Sequence, residues 1–193
     1  MRHDSVAKMW VGFCAEVFAD VEVEPPLVPL DGEVMRLKSA NVKPDARSDV
    51  RVRGFWTDKR NAFFDARVFY PFASSYWNQK PAQLHRKFEK EKKRAYGQRL
   101  AEVEDGDFTP LVMSSTGGMG GEMQLALKLL AHKIAEKRRG RYSQVVCLLR
   151  RKMAFAMMRS ALVCLRGSRS RSPHRVGPLE NAELASSQLR LDV

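Results

Sequence analysis

Two segments with strand-like alternation, joined by five polar residues, constrain the fold of this chain more than any other feature. They span residues 49–56 and 62–70. Successive side chains of a strand point to opposite faces, so Asp49 and Asp65 each share a face with an arginine and lie opposite apolar neighbours. When the two segments pair as a hairpin, both carboxylates can converge near one end of a sheet, with Arg67 beside them. The sequence therefore predicts a β-hairpin that carries two acidic groups.

Two carboxylates beside a cation are suited to binding a divalent metal ion and a phosphate. Mg²⁺ (or Mn²⁺) takes hard oxygen ligands, and the scissile phosphate of a nucleic acid brings negative charge to the site. This interpretation makes Asp49 and Asp65 metal ligands in a site for phosphodiester hydrolysis. The alternative is that outward aspartates and arginines serve solubility alone. The spacing by itself leaves both interpretations open.

The charge balance of the chain favours a polyanionic partner. Lysine and arginine number 34 against 22 acidic residues, which gives a formal net charge of +12. Nucleic acid is the leading candidate, since cationic side chains release counterions from phosphates. An acidic membrane surface fits less well because the basic residues are spread over several predicted elements, and no stretch of the sequence is apolar enough to span a membrane.

A strongly charged helix, predicted over residues 81–104, carries most of the expected phosphate contacts. Lysines and arginines on such a helix can follow a nucleic-acid backbone without reading the bases. A solvated helix face is the alternative interpretation of the same charge run. The predicted nucleic-acid-binding residues are Lys87, Lys90, Lys92, Lys93 and Arg94.

The cysteines and histidines are scattered along the chain and do not indicate a metal site or a nucleophile with its base. The 3 cysteines form no CxxC pair, and the 4 histidines lack the spacing of metal ligands. We therefore expect neither zinc binding nor Cys-His or Ser-His catalysis.

The order of predicted elements indicates a mixed α/β domain with a small mixed central sheet of about four strands flanked by helices. Because proline removes a ladder donor, Pro110 implies that the last strand lies at an edge or has a bend where it begins. The glycine cluster at 117–121 lacks the lysine and Ser/Thr of a phosphate-binding loop, so we interpret it as a tight strand-to-helix turn. We expect one domain over 1–167 and a disordered tail over 168–193. The predicted helices span 5–18, 81–104, 119–139 and 142–165, and the strands span 21–24, 49–56, 62–70 and 108–115.

The order of these elements and their acidic residues resembles the restriction-endonuclease-like nucleases. In that superfamily a glutamate lies on the first helix, an aspartate on the second strand and an acidic-x-lysine tripeptide on the third. Glu16, Asp49 and the tripeptide Asp65-Ala66-Arg67 stand at those positions. The resemblance implies that Glu16, Asp49, Asp65 and Arg67 form a catalytic site that depends on Mg²⁺ or Mn²⁺.

Arg67 departs from that pattern, because it stands where the superfamily has lysine. An arginine does not give up a proton to activate water, although it can neutralise charge in the transition state. Lys92 or Lys93, on the charged helix, is the expected substitute for the missing lysine.

A closer resemblance covers roughly residues 2–170. The blocks that carry it include Gly54-Phe-Trp56, Ala62-Phe-Phe-Asp-Ala-Arg-Val-Phe69, Phe108-Thr-Pro-Leu-Val112 and Gly117-Gly-Met-Gly120. They are similar to a domain at the carboxyl end of retrotransposon-like proteins of invertebrate genomes that also carry a reverse transcriptase. The resemblance implies an intracellular, nuclear endonuclease that nicks target DNA to prime reverse transcription. Its partners would be DNA and the RNA of the parent element.

Two other functions stay open from the sequence. The same fold could be a catalytically inactive relic that holds nucleic acid by its basic helix, which the missing lysine motivates. An RNA chaperone or particle protein is less well supported, because the chain shows no zinc knuckle or RNA-binding aromatic motif. Phe55, Trp56 and Trp77 could stack on bases, but packing in the core explains these rings more simply.

Overall fold

The computed structural model describes residues 2–27 and 48–166. They form a four-stranded mixed sheet with helices on both faces, which confirms the predicted mixed α/β class. The predicted tail at 168–193 and most of the segment between the first two strands lie outside the described residues. The strands are β1 (Val21–Val23), β2 (Val50–Arg53), β3 (Asn61–Phe69) and β4 (Gly106–Ser114). The helices are α1 (Arg2–Ala15), α2 (Pro81–Lys92), α3 (Gln98–Glu102), α4 (Gly121–Arg138) and α5 (Tyr142–Arg166), with a π-helical turn (Lys93–Gly97) between α2 and α3.

The sheet has the strand order β1-β2-β3-β4. The predicted hairpin is confirmed, because β2 and β3 pair antiparallel with Val50 opposite Phe64 and Arg53 opposite Asn61. β1 also pairs antiparallel with β2, whereas β4 runs parallel to β3 after a crossover through α2 and α3. Pro110 lies on β4 at the edge of the sheet, as its missing N–H requires.

One face of the sheet packs against α1 and α4, on which α5 packs in turn, and this side holds most of the apolar core. Trp10 of α1 is fully buried, and its ring lies 5.4 Å from that of Phe64 on β3. Leu130 of α4 and Met153 of α5 are buried in the same cluster. On this face of β3 lie Ala62, Phe64 and Ala66, which are all buried in the same cluster.

The opposite face of the sheet is covered by α2 and α3. Phe63 near the start of β3 packs with Leu100 of α3, and Phe69 at its end packs with Phe88 of α2. Asp65 lies between those two aromatic residues on the same face, because side chains alternate along a strand. The crossover helices therefore run directly over one of the two predicted acidic residues.

α1 begins and ends earlier than the apolar periodicity predicts. The predicted limits were 5–18, whereas the helix spans Arg2–Ala15 and continues into a turn in which the N–H of Phe18 donates to Cys14 O. Asp4 in the first turn stabilises the positive end of the helix dipole. This earlier start places His3 inside the first helical turn.

The glycine cluster forms a tight turn between β4 and α4. Glu89 of α2 is buried there, and its Oε1 accepts a hydrogen bond from the N–H of Glu122 (3.0 Å) in the first turn of α4. A Cβ atom at Gly120 would lie 2.2 Å from that oxygen, so this position has room for glycine alone. The carboxylate of Glu89 thus occupies the helix end that could otherwise attract an external anion.

Replacing Glu89 with alanine should lower the free energy of unfolding by about 1–2 kcal/mol. The substitution leaves the N–H of Glu122 without its buried acceptor, whereas Glu89→Gln keeps an acceptor oxygen and should lower stability less. Chemical denaturation of both variants measures the difference. Glu102→Ala, at an exposed position on α3, is the control. Equal stability of Glu89→Ala and the wild type would contradict the capping role.

The helices keep charged residues along their length. α5 is 25 residues long, yet Arg150, Arg151 and Lys152 interrupt its apolar residues. Among the described residues, no helix is long and apolar enough to cross a membrane.

Candidate metal centre

Asp49 is held at the point where β2 and β3 begin to pair. Its backbone N–H donates to Phe64 O (3.1 Å), and the hydroxyl of Ser48 donates to the same oxygen (2.8 Å). The N–H of Ala66, the next donor along β3, donates to Asp49 Oδ2 (2.6 Å). The Asp49 carboxylate therefore accepts the hydrogen bond that a main-chain carbonyl would accept if β2 continued in this direction. The bond from Ala66 fixes the position of the carboxylate against β3.

Asp65 lies in the middle of β3 on the face that α2 covers, and it is 6% exposed. Burial raises the pKa of its carboxyl group, since water no longer solvates the charged form, and the nearby charge of Asp49 raises it further. Lys92, the last residue of α2, opposes this shift, because its ammonium group forms an ion pair with Asp65 Oδ2. The buried carboxylate thus has a cation of its own.

His3 of α1 completes the group from the other side. Its Nε2 lies 2.9 Å from Asp49 Oδ2. The hydrogen bond to Asp49 raises the pKa of His3 to about 9, and burial only partly opposes this shift. The imidazole side chain is 45% exposed, whereas that of Asp49 is 16% exposed. The group is therefore buried at Asp65 and open to solvent at His3.

His3, Asp49 and Asp65 can together hold a metal ion. Each offers one ligand atom, and these atoms all lie within 4.8 Å of one another. One imidazole nitrogen and two carboxylate oxygens are an ordinary ligand set for a divalent cation. Because the raised pKa keeps a proton on His3 at neutral pH, a metal ion has to displace that proton.

Lys92 has a second neighbour in the π-helical turn that follows α2. Its Nζ lies 5.3 Å from the centre of the Tyr96 ring. Burial raises the pKa of Tyr96, and the nearby charge of Asp65 adds to that shift. π-Helical turns inside helices are frequent at functional sites, and this one brings a phenol beside the lysine. The sequence analysis did not single out Tyr96.

Glu16 lies outside this group. α1 ends at Ala15, and the carboxylate of Glu16 forms two hydrogen bonds with the guanidinium of Arg138, including one of 2.7 Å from Nη2, at the end of α4. The structure therefore places Glu16 in a contact that joins two helix ends. Among the described residues, the group that could hold a metal ion contains Asp49 and Asp65 but not Glu16. The prediction that Glu16 lies beside the two aspartates is therefore wrong.

Arg67 lies on the same face of β3 as Asp65, and its side chain also contacts α2. Its Nη1 lies 2.8 Å from Glu91 Oε2, and its guanidinium stacks 3.8 Å above the centre of the Phe88 ring. Both contacts tie β3 to α2. Of the two lysines predicted to replace the missing one, the structure brings Lys92 to Asp65, whereas Lys93 pairs with Glu122 (2.6 Å).

Of the other predicted nucleic-acid-binding residues, Lys87 and Lys90 lie on the outer face of α2, and Arg94 lies in the π-helical turn. The exposed side chains of this face enclose a shallow, open depression of about 700 Å³, which we call the groove of α2. Lys92 and Lys93 do not line it, and their ammonium groups pair with Asp65 and Glu122. Its lining residues are Gln83, Arg86, Lys87, Lys90, Glu91 and Arg94.

His3 is the member of the group that sequence analysis missed. The expectation that the histidines bind no metal rests on sequence spacing, whereas the structure places His3 with two aspartates in a group that could hold a metal ion. Local spacing cannot reveal this, because His3 reaches Asp49 only after α1 packs on the sheet. Lys92, by contrast, follows the buried Leu84 and Phe88 at intervals of four, and this helical stripe distinguishes it from Lys93.

Comparison of the chain with models of known protein families gives no match, and comparison with curated protein sequences gives none. The proposals below therefore rest on geometry and on the sequence patterns described above.

Proposed function

We propose that this protein is a metal-dependent endonuclease-like domain of a retroelement that hydrolyses phosphodiester bonds in DNA. The observation that carries the proposal is the convergence of Asp49 and Asp65, from neighbouring strands, with Lys92 paired to the buried carboxylate. Two acidic groups and a lysine belong to the restriction-endonuclease-like pattern, whose fourth member, the helical glutamate, has no counterpart in this group because Glu16 pairs with Arg138. In this proposal the lysine comes from the crossover helix, and the fold is a variant of that superfamily.

The side chains of the group would have separate tasks. Asp49, Asp65 and His3 would hold the metal ion, and the hydrogen bond from Ala66 N–H would orient Asp49. When bound, a divalent cation supplies Lewis acidity to the phosphate and makes a nearby water molecule more acidic. Lys92 can hold a proton for transfer or donate a hydrogen bond to a phosphate oxygen as negative charge builds up there. Its contact with Asp65 keeps it in place.

Mn²⁺ suits this ligand set better than Mg²⁺ does. Mg²⁺ prefers oxygen ligands almost exclusively, whereas transition metals accept imidazole nitrogen readily. His3 would therefore select between the two ions predicted from the sequence.

Replacing His3 with alanine should weaken Mn²⁺ binding by at least roughly 10- to 100-fold. Loss of a residue that only supports a metal ligand already weakens binding by that factor, and His3 would be a ligand itself. Mg²⁺ binding should change less, because it depends mainly on the two aspartates. Titration calorimetry of both ions with the purified protein measures these affinities. His132→Ala removes an exposed histidine of α4 and serves as the matched control. Unchanged Mn²⁺ affinity in the His3 variant would show that His3 is not a ligand.

The DNA backbone would bind along the groove on α2. Lys87, Lys90 and Arg94 line it, and each phosphate contact would make binding weaker at higher salt. Lys92, which pairs with Asp65 in the metal group, belongs to the same helix as Lys87 and Lys90. The RNA of the parent element could use the same groove, and a nuclear location would follow from a role on chromosomal DNA.

Cleavage of supercoiled plasmid DNA by the purified protein tests the proposal. We expect nicked circles in Mn²⁺ or Mg²⁺ and none in EDTA. A protein that folds, binds both metal ions and DNA, and still leaves the plasmid intact would contradict an endonuclease function.

A catalytically inactive nucleic-acid-binding protein of the same fold is the second candidate. One observation favours it: each aspartate of the group already has a cation from the protein, since His3 pairs with Asp49 and Lys92 pairs with Asp65. Those ion pairs could serve stability alone. DNA binding that is unaffected by metal ions, together with the absence of metal binding in calorimetry, would support this candidate over the nuclease.

A further inference from the structure

The segment between β3 and α2 exposes three large aromatic rings. Tyr70 is 53% exposed, Phe72 is 69% exposed and Trp77 is 88% exposed. The expectation that Trp77 packs in the core is therefore wrong, although Phe55 is buried as expected. Single exposed apolar residues are common, but Tyr70 and Phe72 contact each other, with 5.8 Å between ring centres, and Trp77 lies in the same eight-residue stretch. We name Tyr70, Phe72 and Trp77 the aromatic shelf.

The aromatic shelf lies in the segment that leads directly into α2, whose outer side chains line the groove. The 3₁₀ turn that precedes Trp77 packs through Tyr76 on the ring of Phe88, with 5.7 Å between ring centres. Phe88 also supports Arg67, whose partner Glu91 lines the groove. Trp77 is four residues from Pro81, which begins α2, so their Cα atoms are at most about 14 Å apart.

We propose that the aromatic shelf and the groove of α2 together bind unpaired, single-stranded DNA. The inference rests on the proposed nucleic-acid function and narrows its substrate to DNA with an unpaired region. Cationic side chains in a groove follow the phosphates, while exposed aromatic rings stack on bases of any sequence. Bases within an intact duplex already stack on one another and leave no face for these rings.

The charge of the surface fits this ligand. Residues 70–80 contain no acidic side chain, and Lys80 is their only charged residue. Four of the six side chains that line the groove are basic, and its acidic residue, Glu91, is neutralised by Arg67. Such a surface attracts a polyanion and offers π-faces for its bases, so we expect phosphates on α2 and bases on the aromatic shelf.

Tryptophan fluorescence tests the inference directly, because the three tryptophans differ in exposure. Trp10 is fully buried and Trp56 is half-buried, with its indole N–H donating to Thr109 (2.9 Å), so Trp77 is the indole that a base can reach. The probes are an oligothymidylate of about 20 nucleotides and a blunt duplex of the same length, both in EDTA to prevent cleavage. We expect the single strand to quench the fluorescence and the duplex to leave it unchanged.

Variants show whether stacking is responsible. Trp77→Ala should weaken single-strand binding by about 5- to 150-fold, which corresponds to one stacked base, while duplex binding stays as it is. Trp77→Phe keeps a ring and should retain most of the affinity. Phe155→Ala removes an equally exposed ring, 65% exposed, from α5 and should change nothing.

Three other results of these experiments would overturn the inference, and each has a different meaning. If Trp77→Ala leaves single-strand binding unchanged, the aromatic shelf does not bind bases, and the proposed endonuclease stands. If that variant also abolishes self-association in sedimentation, the shelf binds a second copy of the chain. If neither probe binds the wild type, the proposed function fails and the inference fails with it.

Discussion

Asp65→Asn should reduce metal-dependent DNA cleavage by at least about 100-fold. In the proposed metal centre this carboxylate is one of two oxygen ligands, and losing a ligand should lower activity by more than the 10- to 100-fold that follows the loss of a residue that merely supports one. Asparagine has nearly the same volume, so the buried position on β3 stays filled. DNA binding should be equal or tighter, because one negative charge near the phosphates is gone. Plasmid nicking and oligonucleotide binding measure the two effects separately.

A matched variant separates catalysis from folding in this prediction. Asp107→Asn changes an aspartate on β4 that pairs with Arg60 (3.5 Å), away from the metal group, and should keep full activity. The thermal unfolding temperature should stay near that of the wild type in both variants. Loss of folded structure in Asp65→Asn would point to a structural aspartate, and retained cleavage would show that Asp65 is not a metal ligand.

Lys92→Gln should also reduce cleavage by roughly 100- to 1,000-fold, the effect of removing one group that stabilises transition-state charge. Arg67→Gln should cost much less, because the guanidinium of Arg67 is engaged with Glu91 and Phe88. Comparing the two variants shows whether Lys92 or Arg67 has the role that the restriction-endonuclease-like pattern gives to lysine. Single-turnover cleavage rates at saturating protein measure it, since they exclude effects on DNA binding.

Two controls make this comparison specific. Lys93→Gln removes the neighbouring lysine, which pairs with Glu122, and should leave the cleavage rate within a few fold of the wild type. Metal binding in calorimetry should persist in Lys92→Gln, because the lysine is not a ligand. A larger loss of activity from Arg67→Gln than from Lys92→Gln would reverse the assignment and return the catalytic cation to β3.

The hairpin and its acidic residues could be predicted from the sequence because they depend on local rules. Strand alternation places Asp65 on the face opposite Phe64, and the short polar connection fixes which residues pair across β2 and β3. Pro110 marks the edge strand for an equally local reason. These rules are enough to bring Asp49 and Asp65 together.

The rest of the group depends on packing between distant parts of the chain. His3 reaches Asp49 because α1 starts earlier than its apolar periodicity predicts and lies across the sheet. Glu16 fails to join because α1 ends before it and Arg138, at the far end of α4, binds its carboxylate. Such contacts between residues far apart in sequence leave no local pattern, since each element would look the same with another partner.

Trp77 shows the same limit for surfaces. A large aromatic residue is usually buried, so composition alone predicts a core position. The exposure of this ring follows the 3₁₀ turn, in which the half-buried Tyr76 packs on Phe88 while the ring of its neighbour Trp77 remains in solvent.

The most direct test of the metal centre is anomalous diffraction from crystals of the protein soaked in Mn²⁺. We predict one strong anomalous peak within bonding distance of Asp49, Asp65 and His3. Nε2 of His3 should then bind the ion and no longer contact Asp49. Lys92 should remain close to Asp65. A map without a peak at these residues, in which His3 and Lys92 stay paired with the two aspartates, would contradict the metal centre on which the account rests.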